Sequence, residues 1–164
     1  MAIDAAGIER YARQIIIPNV GIDGQERLCE SVSLVVGDDV IATTAARYLS
    51  AAGSLIVSPK NIVQKPDVIL CSRFAPQTCD LRDAFAESMK VPVVWWQLGT
   101  VSVRTGIIAS VEKLTMVAKP STSPPSPPPP AWLAAAAGAD AAALACGVLL
   151  GWPLPPNDRE LNLA

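Results

Sequence analysis

The sequence contains no histidine, which removes the most common general base and the most common metal ligand from its chemistry. Its four cysteines, at positions 29, 71, 79 and 146, form no C-x-x-C pair, so neither zinc-type spacing nor a disulfide scaffold is present. A net charge of −2 gives no electrostatic reason to expect nucleic acid or an anionic membrane as a partner. No apolar signal-peptide region follows the first residues. We therefore expect a cytoplasmic protein with reduced thiols and no metal site.

Apolar residues are plentiful: 51% of the 164 residues are hydrophobic and 17% are charged, which predicts one globular domain. The most informative stretch begins with the apolar run Leu34–Val36, which is typical of a buried strand. Gly37 ends that strand, and apolar residues then recur at helical spacing from Val40 until Gly53. A strand, a glycine turn and a helix form the entry to a nucleotide-binding βαβ unit, whose helix N-terminus binds phosphate.

The turn itself departs from the phosphate-binding pattern G-x-G-x-x-G/A. It contains Gly37, Asp38 and Asp39, and Ala42 stands at the last position of the pattern. Asp39 occupies the place of the second glycine, which normally lets the backbone approach a pyrophosphate. Two carboxylates at a helix N-terminus suit the helix dipole by themselves, and they occupy the position that a phosphate needs. The sequence therefore predicts a nucleotide-binding framework that has lost its nucleotide.

The N-terminal residues 1–31 are predicted to form a helical arm. Asp4 can cap a helix over residues 5–17 that Pro18 ends, and Asp23 can cap a short second helix. Between Arg10 and Leu28 the arm reads R-Y-x-R-Q-x-x-x-P-x-x-G-x-x-G-Q-x-x-L. This pattern resembles the opening of the ThiF/MoeB/HesA family, the adenylating enzymes related to ubiquitin-activating enzymes. The resemblance continues in the stretches 48–53, 90–94, 104–106 and 149–151, and so covers most of the chain.

The resemblance implies an α/β, Rossmann-like three-layer fold with a mostly parallel mixed sheet, an N-terminal helical arm and a late β-hairpin. It also implies ATP-dependent adenylation, with Mg²⁺, of the C-terminal glycine of a ubiquitin-like or sulfur-carrier protein. The positions that serve this reaction in the family are altered here. Ser58 and Lys60 stand where the family places ribose-binding acids, and Phe74 stands where it places a Mg²⁺-binding Asp. Paired C-x-x-C motifs are absent. In the family, a helix with basic residues that surround the ATP phosphates follows at this point of the chain. Only about nine residues, 59–67, precede Val68 here, which is too few for such a crossover helix.

Arg13 is the exception to these losses. In the family, an arginine in this helix reaches across the dimer interface to the ATP of the partner, so the resemblance implies a trans arginine finger. The alternative is that Arg10, Arg13 and Gln14 only make surface or interface hydrogen bonds.

The middle of the chain, residues 66–96, is predicted to form a strand over 67–70, a loop over 71–76, a helix over 81–89 and a strand over 92–96. Cys71 and Cys79 are either nucleophiles or, with no base nearby in sequence, buried inert thiols. Trp95 and Trp96 should point to opposite faces of their strand, one into the core and the other against a helix or a partner. Residues 101–103 and 107–111 are predicted to pair as a hairpin that turns at 104–106.

The C-terminal part begins with the proline-rich segment 119–130, which we predict to be either a spacer or an SH3-like ligand. The segment 131–150 is apolar and long enough to cross a membrane, but it is rich in small residues and contains Asp140. We interpret it as a closely packed buried helix. Residues 160–163 are predicted to form an edge strand.

Together these features predict one ThiF/MoeB-like domain over 1–164, shortened and degenerate. It comprises the arm 1–31, a sheet core 32–118, the proline-rich loop 119–130 and the C-terminal helix and tail 131–164. We hypothesise a non-catalytic subunit, without bound ATP or Mg²⁺, that forms a homodimer or a heterodimer with a ThiF/MoeB-like protein. The alternatives are a residual adenylyltransferase acting on a carrier-protein C-terminal glycine, and a ligand- or peptide-binding scaffold without chemistry.

Overall fold

A computed structural model describes residues 3–62, 64–72, 91–99, 102–108, 129–153 and 159–162. In it, the N-terminal arm consists of two helices. Helix α1 spans Ala5–Ile15, and the Asp4 carboxylate caps it by accepting the Gly7 N–H at 2.8 Å, as predicted. Helix α2 spans Gly21–Glu30 and starts after Val20, so the prediction that Asp23 caps it is wrong. Asp23 lies in the first turn instead, where its charge suits the helix dipole.

A six-stranded sheet forms the centre of the fold. Its strands, in chain order, are β1 (Val32–Val36), β2 (Leu55–Val57), β3 (Val68–Ser72), β4 (Val93–Leu98), β5 (Ser102–Ile108) and β6 (Arg159–Asn162). Their order in the sheet is β2-β1-β3-β4-β5-β6; the first four are parallel, and β5 and β6 are antiparallel to their neighbours. This confirms the predicted α/β fold with a mostly parallel mixed sheet. Strand β6 also brings the C-terminal tail into the sheet, where an edge strand was predicted.

Two long helices pack on one face of this sheet. Helix α3 spans Val40–Ala52 and ends at Gly53, whose left-handed φ of +110° favours glycine. Helix α4 spans Ala131–Leu150, as predicted. A Cβ atom on Gly138 of α4 would lie 2.6 Å from Thr44 Cβ and 2.8 Å from Ile41 O of α3. The small residues of α4 therefore let the two helix backbones approach closely.

Alternate residues of the central strands divide the core between the two faces of the sheet. Val94 and Trp96 pack on the α3–α4 face, whereas Val93 and Trp95 belong to the cluster on the opposite face. The prediction that the two tryptophans point to opposite faces is thus confirmed. Both are buried, with exposed fractions of 4% for Trp95 and 0% for Trp96, so neither side chain is free to contact a partner.

Helix α4 has the length and hydropathy of a membrane span, and among the described residues it is the one helix with both properties. Over half of that apolar window is buried inside the protein, against α3 and the sheet. Asp140, near its middle, accepts a hydrogen bond of 2.5 Å from the hydroxyl of the buried Thr105 on β5. This packing is that of a core helix, as the sequence predicted.

The late β-hairpin exists, but its position differs from the prediction. Strand β5 runs without a turn through residues 104–106 and pairs with β4, so that Gly106 lies opposite Trp95. Strand β4 ends at Leu98 and β5 begins at Ser102, and the Gly99 N–H donates to Ser102 O at 2.7 Å. The R-T-G sequence is a local turn signal, and pairing along the whole of β4 satisfies more backbone groups than a turn at that point would.

Several predictions lie wholly or partly outside the described residues. These are the helix over 81–89, Phe74, Cys79, most of the loop 71–76 and most of the proline-rich segment 119–130. Cys71, which was predicted to begin that loop, belongs to β3 and is buried. The predicted edge strand at 160–163 is observed one residue earlier, as β6.

Candidate functional site

The loop between β1 and α3 has the position of a phosphate-binding loop. Gly37 follows the buried strand β1 with a φ of +122°, a conformation that favours glycine. Asp38 is exposed, and Asp39 is the N-terminal cap of α3. The predicted loop residues are thus brought together at one helix N-terminus, the place at which this fold class binds anions.

Both carboxylate oxygens of Asp39 are hydrogen-bonded within the chain. Oδ1 accepts the backbone N–H of Ala42 at 2.7 Å, and Oδ2 accepts the indole N–H of Trp96 at 3.3 Å. Trp96 is fully buried, and its indole nitrogen can only donate, so it requires an acceptor. The sequence indicated the cap but not the tryptophan, because 57 positions separate the two residues.

A cleft of about 270 Å³ lies beside this loop. The described residues that line it come from β1, α3, β2 and the turn after β2: Val35, Gly37, Ala42, Thr43, Ala46, Ile56, Val57, Ser58 and Asn61. Ser58, which the family resemblance aligns with a ribose-binding acid, is one of them, and no carboxylate is among these lining residues. The described residues between Val57 and Val68 form a turn and no helix, in agreement with the short connection seen in the sequence.

Two glutamines of the arm hold the opposite end of α3. Gln14 donates through Nε2 to Ala51 O at 3.1 Å, and the buried Gln25 donates to Ala52 O at 2.7 Å. These carbonyls belong to the last turn of α3, where the backbone C=O groups have no hydrogen-bond donor within the helix. Both glutamines belong to the motif that resembles the ThiF/MoeB/HesA opening, so part of that motif has a structural role.

A small cluster of side chains sits behind this contact. Gln25 Nε2 also lies 3.6 Å from the Cys29 Sγ, and a Cβ on Gly53 would come within 2.8 Å of the same sulfur. Burial, together with the adjacent Cys29 thiol, raises the pKa of Tyr11 above its ordinary value. The arm is therefore fitted tightly to the end of α3.

Arg13, the proposed arginine finger, is exposed on α1. Its neighbour Gln14 contacts the C-terminal end of α3, whereas Asp39 stands at the N-terminal end. A helix of 13 residues is about 20 Å long, so the arm and the phosphate loop of the same chain are far apart. Within the described residues Arg13 makes no hydrogen bond or ion pair, while Arg10 lies over the Tyr11 ring at 5.3 Å from its centroid.

None of the described cysteines forms a disulfide. Cys71 is buried in β3, in agreement with the interpretation as an inert thiol, and burial raises the pKa of Cys146 in α4 to about 11. In the described part of the chain, no group of three or more Cys, Asp or Glu side chains could hold a metal ion.

No protein-family model matches the chain. Among curated proteins, it is 48% identical over 46 residues to the adenylyltransferase and sulfurtransferase MOCS3 of Dictyostelium discoideum, covering 28% of this chain and 11% of that protein. It is 36% identical over 70 residues to the SAMP-activating enzyme E1 of Haloferax volcanii, covering 42% and 26% respectively. The matched stretches thus span between about a tenth and a quarter of these relatives.

Solved structures resemble the chain over nearly its whole length. A PaaA structure aligns with a TM-score of 0.63 at 12% identity, covering 97% of this chain and 84% of that chain. Escherichia coli MccB in a complex with ATP aligns with a TM-score of 0.64 at 11% identity, covering 93% and 71% respectively. At such low identities these alignments establish the fold.

Proposed function

Because this chain is a relative of the ThiF/MoeB-like adenylyltransferases, we propose that it is a non-catalytic member of that group. In this proposal it dimerises with an active adenylating homologue, or with itself, and supports ATP-dependent activation of a ubiquitin-like or sulfur-carrier protein. The named activities of MOCS3 and the SAMP-activating enzyme support the reaction class. The free thiols and the core packing of α4 support a cytoplasmic location.

The observation that carries the proposal is the pair of hydrogen bonds made by Asp39. A phosphate at this helix N-terminus would need the N–H groups and the space that the Asp39 carboxylate now uses. A helix N-terminus stabilises an anion by about 0.3–2 kcal/mol. Two like unit charges about 4 Å apart repel by about 4 kcal/mol at an effective dielectric constant of 20. The repulsion outweighs the attraction, and the exposed Asp38 adds a second negative charge.

The hydrogen bond from the Trp96 indole N–H holds the Asp39 carboxylate in this position. If the Asp39 carboxylate turned away to admit a phosphate, the indole N–H would stay buried without its acceptor. Leaving such a donor unpaired costs about 1–3 kcal/mol. The residues of this loop therefore do not suit a triphosphate, and our proposal assigns no chemical step to ATP bound on this chain.

Arg13 supplies the second part of the proposal. Since its own phosphate loop lies at the far end of α3, its charge is available to a nucleotide on another subunit. An arginine that stabilises a transition state in trans contributes roughly 10³-fold or more to the rate. We propose that Arg13 serves the ATP site of an active partner.

Titration calorimetry with Mg-ATP, combined with ATP–pyrophosphate exchange, tests the loss of the nucleotide. We expect the purified chain to give no saturable heat and no exchange, with or without candidate carrier proteins. Saturable binding with exchange would overturn the proposal in favour of a residual adenylyltransferase. Asp39→Gly is the informative variant, because it removes the charge while glycine costs a helix cap only a few tenths of a kcal/mol. It also leaves the buried Trp96 N–H without its acceptor, so the folded state of this variant is checked by circular dichroism before the titration.

The trans role of Arg13 is tested on the complex with a co-purified, ATP-hydrolysing homologue. Arg13→Ala should lower the adenylation rate of that complex about 10³-fold without weakening its assembly. Arg104→Ala is the matched control, because Arg104 is exposed on β5, on the far side of the sheet. Equal rates for the wild-type and Arg13→Ala complexes would remove the trans role.

A further inference from the structure

Two adjoining cavities form a groove along the side of α3 that faces strand β2. The cleft beside the phosphate loop shares Ala46 and Ile56 with a second cavity of about 480 Å³. That cavity shares Arg47 and Ala51 with a third, of about 440 Å³. The third cavity lies on the α4 side of α3, where Ala135 lines it, so we give the name α3 groove to the first two cavities alone. The second of these is lined, among described residues, by Arg10, Ala46, Arg47, Ser50, Ala51 and Ile56.

The second cavity of the α3 groove is positively charged. Arg47 is exposed, lines both larger cavities and is the only charged residue of α3. Arg10 lines the second cavity from α1. Among the described residues Arg47 makes no hydrogen bond or ion pair, so its charge is available to a ligand. The exposed acids nearest in sequence are Glu9 on α1 and Asp38 at the phosphate-loop end. The charge pattern therefore favours an anionic group in the second cavity and disfavours one beside Gly37.

The groove also runs along an open edge of the sheet. Strand β2 is the first strand in the order and is bonded to β1 on one side. No other described strand pairs with its outer edge. Ile56 of β2 lines the groove on the α3 side, and Leu55 is 48% exposed. An exposed strand edge can bind an extended peptide through backbone hydrogen bonds, while adjacent pockets accept its alternate side chains.

We propose that the α3 groove binds an extended, acidic segment of a partner protein. An acidic side chain of that segment pairs with Arg47 and Arg10. The flanking small or apolar side chains lie against Ala46, Ala51 and Ile56, and the peptide backbone pairs with the free edge of β2. This inference does not depend on the proposed non-catalytic role, because Arg10, Arg47 and Ile56 take no part in the hydrogen bonds of the Asp39 cap.

The test is a titration of the ¹⁵N-labelled full chain with a blocked heptapeptide of alternating Glu and Val, followed by amide chemical shifts. We expect saturable shifts at Ala46, Arg47, Ser50 and Ile56. Peptides of the same length with Gln or Lys in place of Glu should bind at least about tenfold more weakly, since a charge pair of this kind is worth about that much. Equal binding of the Glu and Lys peptides, or shifts scattered over the surface, would overturn the proposal.

Charge reversal provides the matched comparison. Arg47→Glu should raise the Kd of the Glu peptide about tenfold or more, while the control Arg104→Glu on β5 should change it less than about twofold. Both positions are exposed, so both variants should fold. Arg10→Glu provides a second test from a different helix and should also weaken binding. An equal effect of Arg47→Glu and Arg104→Glu would show general charge attraction and would overturn the assignment to the groove.

Discussion

Replacing Asp39 with alanine tests how firmly the phosphate loop is held by the chain's own side chains. The change removes the cap of α3, which costs about 0.5–2 kcal/mol. It also leaves the buried indole N–H of Trp96 without its acceptor, which costs about 1–3 kcal/mol. We therefore expect D39A to lower the free energy of unfolding by about 1.5–5 kcal/mol.

A double-mutant cycle separates these two contributions. We propose to measure urea unfolding of wild type, D39A, W96F and the double variant by far-UV circular dichroism, because W96F alters the fluorescence signal. The coupling energy between the two positions should be about 1 kcal/mol or more, since the pair shares a hydrogen bond to a charged group.

Two controls limit the interpretation of this cycle. D39N keeps a capping side chain and should cost less than D39A, because Asn and Asp cap helices about equally well. D38A changes an exposed neighbour and should lie within about 0.5 kcal/mol of wild type. A coupling energy below about 0.3 kcal/mol would refute the reasoning, because that is the level seen for independent sites.

Three further predictions concern the packing of α3, α4 and the N-terminal arm. Gly138→Ala should lower stability in thermal unfolding, because its contact with Ile41 O costs about 1–3 kcal/mol and exceeds the helix-propensity gain of about 1 kcal/mol. Gln25→Ala should lower the free energy of unfolding in urea by about 1–3 kcal/mol, because it removes a buried hydrogen bond to α3. Gln14→Ala should lower it clearly less, because the hydrogen bond of Gln14 to α3 is exposed. Equal losses would contradict the role assigned to Gln25. Since burial raises the pKa of Cys146 to about 11, its contribution to stability is complete below the pKa of the unfolded thiol and should be lost as pH rises toward 11. Its rate of labelling by a thiol reagent at pH 8 should stay far below that of the unfolded chain, and rapid native labelling would contradict this.

Local patterns in the sequence predicted most elements of the fold. Asp4 marked the start of α1, Gly53 marked the end of α3, and the alanine-rich segment matched α4. Each of these signals acts within a few residues along the chain, because caps and helical periodicity are local properties. The error at residues 104–106 has the same origin: a local turn signal was overruled by pairing with β4, which lies elsewhere in the chain.

The candidate site was predicted less completely than the fold. The sequence placed Asp39 at the N-terminus of a helix, where the structure has it as the cap of α3. It gave no reason to connect Asp39 with Trp96, and it did not show that Gln14 and Gln25 bind the last carbonyls of α3. These contacts join residues between 27 and 57 positions apart. No periodicity or motif encodes them.

The sequence by itself determined the class of fold, the helical arm and the negative charge in the phosphate loop, because residue type and short-range spacing are sufficient for each of them. Only the tertiary structure decided that the Asp39 carboxylate is bonded at both oxygens and that Arg13 lies a helix length away from its own loop. It also decided that Arg47 lines the same cavity as Ile56 of β2, the first strand in the order of the sheet. The physical reason is that hydrogen bonds and charges act through space over a few ångströms, and chain packing alone brings distant residues within that range.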